Sequence, residues 1–222
     1  MPTANNDVSS SRRQHEGGYS LPEALIAALV LAIVLLAIYM VYDTSSQDYA
    51  RGVARADVQQ NIRVALESMA RELRAAGYNP FTAACANPPS GAVTALSSSP
   101  VSVTFQTDVD GDTCTDQVIY TFVPPTNLSK PCDASDPTTV GRLTRSTQAW
   151  DGTVWNPPTP TAYDVAQCVT SLTMTYYDGS GATPTPAASV RRITIAIVGI
   201  ENIRGFGART YTLTSDVRLR NL

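Results

Sequence analysis

The pattern of hydrophobic and polar positions changes three times along the 222-residue chain. Residues 1–18 are polar, and Ala24 to Tyr42 then form an apolar run of nineteen residues without a charge. As a helix this run would be about 28 Å long, close to the thickness of a bilayer's hydrocarbon core. An apolar position then recurs every three or four residues as far as Ala76, and beyond residue 100 the period becomes two. The pattern therefore predicts a transmembrane helix, an amphipathic helix and a set of strands.

The amphipathic segment continues the helix beyond the membrane. Arg63, Glu67 and Arg71 recur at four-residue spacing on a polar face, opposite an apolar stripe. Gly77 follows the last helical position, and Pro80 prevents continuation. We therefore predict one helix from about Leu21 to Ala76, with an apolar stripe made of Val58, Ile62, Ala65, Leu66, Met69, Leu73 and Ala76.

The remainder of the chain has the composition of β-structure. A polar loop is expected over residues 79–100, and later segments rich in Val, Ile, Thr and Tyr alternate with turn clusters. Strands that follow one another without intervening helices favour an antiparallel sheet with one face covered by the long helix. The fold class is thus α+β, with strands at Val101–Thr107, Gln117–Val123, Arg142–Thr147, Val169–Tyr177, Val190–Ile200 and Tyr211–Leu219.

Charge determines the expected orientation of the apolar run. Arg12 and Arg13 precede it, and no Lys or Arg follows until Arg51. The positive-inside rule therefore places residues 1–18 in the cytoplasm and the chain beyond about residue 43 outside. The net charge of −3 and the pI of about 5.1 give no basic face for a nucleic-acid partner.

Histidine usage limits the chemistry available to the globular part. The only histidine of the chain is His15, which precedes the apolar run. Ser-His-Asp and Cys-His catalysis and histidine-ligated zinc are therefore excluded beyond the membrane segment. No paired-carboxylate arrangement replaces them, so we expect a protein that is not an enzyme and has no cofactor.

The cysteines indicate an oxidising compartment. Cys85, Cys114, Cys132 and Cys168 form no C-x-x-C pair, and an even number in an exported domain favours two disulfides. Four cysteines allow three connectivities, and sequence does not choose among them. Pairing in sequence order, Cys85–Cys114 and Cys132–Cys168, is our working prediction.

An acidic segment lies between the first two predicted strands. Asp108, Asp110 and Asp112 alternate with other residues, as at the opening of an EF-hand calcium loop. Thr113 stands where that loop needs glycine, and Ile119 stands where it needs a bidentate glutamate. We therefore favour a solvated turn with Gly111 at positive φ, and keep calcium as the alternative.

The junction before the apolar run carries the most specific motif. It reads Gly17-Gly18-Tyr19-Ser20-Leu21-Pro22-Glu23, which resembles the class III leader of type IV pilins and type II secretion pseudopilins. The resemblance implies that a prepilin peptidase cuts after Gly18 and methylates the new amino group of Tyr19. It also implies that Glu23 pairs with the N-terminal amine of a neighbouring subunit during assembly. A carboxylate at the edge of an apolar span is itself a functional-site candidate.

Segments beyond the leader resemble the PilW-type minor pilins. They are, in order, the helix end at Gly77-Tyr78-Asn79-Pro80, a strand, the Asp-Gly turn, Gln117–Phe122, Gly141–Arg145 and Leu172–Tyr177. The resemblance implies a leader at 1–18, a long helix at 19–77 with its span at about 24–42, and an extracytoplasmic β-rich domain at 78–222. It implies a minor pilin that assembles at or near the tip of a type IV pilus through contacts between N-terminal helices.

The same resemblance implies where the protein resides. It would be held in the bacterial inner membrane by a single pass, with its C-terminal domain in the periplasm, and would then move to the pilus and cell surface. The alternatives are a pseudopilin of a type II secretion system and an uncleaved, membrane-anchored binding protein.

Overall fold

The computed structural model describes residues 20–78, 92–112, 114–127, 132–133, 135–151, 153–156, 161–183, 187–203 and 207–221. The chain divides into two compact units, Met1–Tyr49 and Ala50–Leu222. The described part of the first unit is helical from Leu21 onward. The second unit contains further helix and all the described strands.

Helix α1 runs from Leu21 to Ala75, one residue short of the predicted end. Its C-terminus has the expected glycine cap, since Gly77 adopts a φ of 83° and donates its amide to the Gln106 carbonyl at 2.8 Å. The Ala75 carbonyl accepts hydrogen bonds from the Thr107 hydroxyl at 3.2 Å and from the Asn221 side chain at 3.3 Å. The end of the helix is therefore held both by a strand and by the last residues of the chain.

The strands form two antiparallel sheets. Sheet A has six strands in the order β1-β2-β3-β4-β5, with β6 also paired to β4, and sheet B has three in the order β7-β8-β9. The strand bounds are β1 Val93–Ser98, β2 Val101–Thr107, β3 Asp116–Val123, β4 Arg142–Trp150, β5 Trp155–Asn156, β6 Tyr163–Gln167, β7 Val169–Tyr177, β8 Arg192–Ile203 and β9 Gly207–Arg218.

The core of the second unit lies between the amphipathic part of α1 and the inner faces of both sheets. The predicted stripe is buried from Ile62 to Ala76. Facing it are fully buried side chains at alternate strand positions, as a sheet with one covered face requires. Gly199 lies directly under the helix, where an added Cβ would be 3.1 Å from Ile62 and from Val58. The main strand contributors are Val103, Phe105, Val118, Tyr120, Leu143, Ile193, Ile195 and Ile197.

The α+β fold class is confirmed, and the differences concern individual strands. Strands β1, β5 and β6 were not predicted, and β1 lies within the segment 79–100 that was expected to be a polar loop. Its sequence, VTALSS, offers little hydrophobic alternation, and it is an edge strand placed by its hairpin with β2. The strands also divide into two sheets, whereas alternation alone suggested one.

Candidate assembly site

The first part of α1 presents an unusual exposed surface. Sixteen large apolar or aromatic side chains from Leu21 to Tyr49 are 47–76 % exposed. The helix is long and apolar enough to cross a membrane. Exposed apolar area of this size is typical of a surface that a membrane or other proteins cover.

Glu23 is the charge closest to the start of that surface. It lies in the first turn of α1, and the next acidic side chains are Asp43 and Asp48. Pro22 occupies the same turn, where its missing amide hydrogen costs no helical hydrogen bond. A carboxylate at a helix N-terminus is favoured by the helix dipole. Its charge is thus compatible with the helix and available to a cationic partner.

The predicted cleavage site cannot be described in the same way. Gly18 and Tyr19, including the amino group predicted to be methylated, lie outside the described residues. The described chain begins at Ser20, whose carbonyl accepts the Ala24 amide at 3.1 Å. The helix therefore begins at Leu21, two residues beyond the predicted N-terminus of the mature chain.

An ion pair between buried Arg145 and partly buried Glu72 joins the second part of α1 to sheet A, and sequence reasoning did not find it. Arg145 Nε donates to both Glu72 carboxylate oxygens, at 3.1 and 3.0 Å. The Tyr120 hydroxyl donates to the same carboxylate at 2.9 Å, and Arg145 Nη1 donates to the Tyr163 hydroxyl at 2.9 Å. The pair connects positions 73 residues apart, so only the folded chain brings them together.

The environment of this network accounts for its protonation states. Burial opposes the charge of Arg145, but the hydrogen bonds and negative charge of Glu72 outweigh burial and raise the pKa of the guanidinium. Burial and the Glu72 charge likewise raise the pKa of the Tyr120 phenol. Arg145 is therefore charged and Tyr120 neutral at neutral pH, as a charge-assisted link between helix and sheet requires.

The acidic segment forms the turn that was favoured for it. Asp108 accepts the Gly111 amide at 2.8 Å, Asp110 accepts that of Asp112 at 3.1 Å, and Asp112 accepts that of Cys114 at 2.7 Å. Gly111 has the expected positive φ, 80°. The side chains thus satisfy the backbone of their own loop, as in Asx turns.

The carboxylates that converge differ from the set considered for calcium. Oxygens of Asp108, Asp110 and Asp116 all lie within 4.8 Å of one another. Asp112, the third member of the predicted set, is absent from this group, and Asp116 at the start of β3 takes its place. Burial is the main cause that raises the pKa of Asp116 to about 6, and the three neighbouring carboxylates add to it. Calcium binding stays an untested alternative.

One predicted disulfide is confirmed. Cys132 and Cys168 are bonded, with Cα atoms 5.1 Å apart, and the bond joins the segment after β3 to the junction of β6 and β7. Both residues adopt positive φ, 62° and 59°. Cys114 is also disulfide-bonded. Its predicted partner, Cys85, lies outside the described residues.

No model of a known protein family matches the chain, and no curated protein matches it. What the described residues do show is a pilin-like layout, in which a long N-terminal helix is apolar in its first part and packs on antiparallel sheets in its second.

Proposed function

We propose that this chain is a minor pilin, a structural subunit of the type IV pilus that acts at or near the filament tip. The observation that carries the proposal is an exposed apolar helix with Glu23 in its first turn, directly after the Gly18-Tyr19 junction. Neither element alone would support it. Apolar helices anchor many proteins, and short motifs recur by chance, but their combination is typical of pilins.

The apolar helix has two environments in this proposal. Before assembly it lies in the inner membrane, where nineteen uncharged residues match the hydrocarbon core. After assembly it packs among the helices of neighbouring subunits, which cover the same side chains. Both environments remove the exposed apolar surface from water, which is the condition for a stable protein.

Glu23 decides the pairing between subunits in this account. A charged side chain within an apolar assembly is costly unless an opposite charge meets it. Cleavage after Gly18 would create the ammonium group of Tyr19, which is small enough to meet that carboxylate on a neighbouring helix. Cleavage and assembly are then chemically linked, since the uncleaved chain lacks this amine.

The second unit has the character of an extracytoplasmic domain. Its disulfide is typical of an oxidising compartment. Its amphipathic helix is fixed to the sheets by a buried stripe and by the Arg145–Glu72 pair. We infer that it remains folded while the apolar helix moves from membrane to filament.

Replacing Glu23→Gln tests the proposal, with Asp43→Asn as the matched control. Both changes remove one carboxylate from α1, but only Glu23 lies beside the new N-terminus. In a host with a functional pilus, we expect Glu23→Gln to remain in the membrane fraction and to be reduced at least tenfold in the sheared filament fraction. Asp43→Asn should enter filaments as the wild type does.

Two results would contradict the proposal. One is a Glu23→Gln chain that enters filaments at the wild-type level. The other is a deletion strain that keeps its surface pili but fails to secrete a folded exoprotein, which would indicate a type II secretion pseudopilin.

A further inference from the structure

Three arginines meet at one end of sheet B, on the second unit. Arg191, Arg192 and Arg218 line a cavity of about 390 Å³ together with the turn Asp178-Gly179-Ser180-Gly181. The lining therefore carries three guanidinium groups and one carboxylate, a formal charge of +2. The whole chain, by contrast, has a net charge of −3. A local concentration of positive charge in an acidic protein needs a physical reason.

The strand register makes this concentration costly. Arg192 and Arg218 are direct partners across β8 and β9, and Tyr177 is the partner of Arg192 across β7 and β8. Directly paired residues share a face of the sheet, so the two guanidinium groups project on the same side. Like charges opposite each other destabilise a sheet. An anion between them would convert this repulsion into attraction.

Nearby groups neutralise the pair only in part. The closest carboxylate to Arg192 is that of Asp216, 3.9 Å from its Nε, and Asp216 also accepts the Thr194 hydroxyl at 3.1 Å. Arg192 is positioned instead by the ring of Tyr177, whose centroid lies 4.2 Å from the guanidinium carbon. Arg218 forms no ion pair and no side-chain hydrogen bond with any described residue.

Asp178 is occupied by its own turn. One of its carboxylate oxygens accepts the Ser180 hydroxyl at 2.7 Å, the Ser180 amide at 2.8 Å and the Ala182 amide at 3.0 Å. These bonds lower the pKa of Asp178. The carboxylate thus holds the loop in place, and the glycines beside it leave open space, with no atom within 4 Å of an added Cβ at Gly179 or Gly181.

We propose that this cavity binds a tetrahedral oxyanion, a phosphate or sulfate group. A carboxylate has two oxygens and is satisfied by a single guanidinium fork, whereas a phosphate offers enough oxygens for several donors at once. Three guanidinium groups fit the second case, those of Arg192 and Arg218 from paired strands and that of Arg191 from the residue before β8. The proposal stands apart from pilus assembly, because it concerns a different surface and requires no processing of the chain.

Titration of the full chain in a non-ionic detergent with inorganic phosphate tests the proposal. Ionic strength is kept constant with sodium chloride, since screening alone would alter exposed charges. Binding is followed by calorimetry and by the NMR signals of the arginine Nε–H groups. We expect saturable binding, and Arg218→Gln should weaken it by about tenfold or more. Arg218 is exposed, so this variant should fold, which circular dichroism checks.

The control is Arg209→Gln on the same strand. Arg209 is also exposed but lies nine residues away, roughly 30 Å along β9, and does not line the cavity. It should bind phosphate as the wild type does. Glucose 6-phosphate tests which kind of molecule carries the oxyanion. If it binds more tightly than inorganic phosphate, the ligand is a phosphorylated glycan, and if it binds more weakly, the ligand is the free ion.

Three outcomes would overturn the proposal. The first is a phosphate titration that never saturates. The second is an Arg218→Gln variant that binds phosphate as tightly as the wild type, and the third is an Arg209→Gln variant that loses as much phosphate affinity as Arg218→Gln. Acetate binding as tightly as phosphate would overturn the tetrahedral assignment.

Discussion

Arg145 and Glu72 illustrate how two residues can fix a helix to a sheet. The Arg145 side chain is 8 % exposed and that of Glu72 is 20 % exposed. Removing one partner of such a pair leaves the other charged, desolvated and poorly bonded. The same strand offers a contrasting pair, since Arg142 is 43 % exposed and lies 3.9 Å from the Asp164 carboxylate.

Replacing Arg145→Met should therefore lower the free energy of unfolding by about 2–4 kcal/mol. Arg142→Met, three residues away on β4, should cost less than about 1 kcal/mol, because exposed ion pairs contribute little. Urea unfolding of the full chain in detergent, followed by the fluorescence of Trp150 and Trp155, measures both. Equal costs for the two variants would show that the buried pair does not hold the helix.

Asp116 should give the protein a pH-dependent stability. Its folded pKa of about 6 lies above the ordinary 3.8, so the native state holds a proton that the unfolded state releases. The stabilisation is therefore present below about pH 4 and is lost as pH rises through about 6. Ionised Asp116 remains buried beside three carboxylates, which is why the charge is unfavourable.

In the wild type the Val109 amide donates to the Asp116 carboxylate at 3.0 Å. Asp116→Asn keeps an oxygen that can accept this hydrogen bond, but its side chain cannot ionise. Between about pH 4 and pH 7.5, its stability relative to the wild type should rise by about 1–3 kcal/mol. Asp57→Asn, at an exposed position on α1, should show no such rise. Urea unfolding at the two pH values measures the free energy of unfolding of each variant. A stability difference between Asp116→Asn and the wild type that is the same at both pH values would contradict the raised pKa of Asp116.

At the scale of elements, the end of α1 depends on one glycine. Gly77 has a φ of 83°, and an added Cβ would collide with the Asn221 carbonyl and lie 2.9 Å from the Ala92 side chain. Gly111 has a similar φ of 80° with nothing within 4 Å. The two positions thus separate the cost of the backbone conformation from the cost of the collision.

Gly111→Ala should lower the free energy of unfolding by about 1 kcal/mol, the cost of a left-handed conformation for alanine. Gly77→Ala should lower it by at least about 2 kcal/mol, because overpacking adds to that cost. The measurement is urea unfolding of both variants. A smaller loss at Gly77 than at Gly111 would mean that Asn221 does not pack against the helix end.

The elements also show what sequence can and cannot predict. Helix α1 and strand β7 agree with prediction to within a residue, because long periodic runs and clear turn residues define them. Strands β5 and β6 have only two and five residues and are placed by pairing with β4. Alternation indicates which residues face a core, but it does not indicate which strands pair.

The polar sites follow the same division. Glu23 could be singled out from sequence because its neighbours in the chain make it anomalous. Arg145 could not, since its partner Glu72 lies 73 residues away in the sequence. Asp116 could not, since only the pairing of β2 with β3 places it opposite Thr107 and beside the acidic turn. The sequence held only weak indications of these two sites. Glu72 is next to Leu73 of the apolar stripe, and Asp116 is the last of four aspartates between residues 108 and 116.

At the scale of the whole molecule, helix α1 has two parts with different surroundings. The first part is apolar and exposed, and the second is amphipathic and buried against the sheets. A protein that only needed an anchor would not require Glu23 in the first turn of its span. In the proposed function, removal of residues 1–18 would create the amine that pairs with this carboxylate, so cleavage is the step to test first.

Intact mass and N-terminal sequencing of the protein, extracted from the membrane of a host with an active prepilin peptidase, test that claim most directly. The account predicts a chain that begins at Tyr19 and carries one added methyl group on its amine. A chain that retains residues 1–18 in that host would contradict it and would leave an uncleaved, membrane-anchored binding protein.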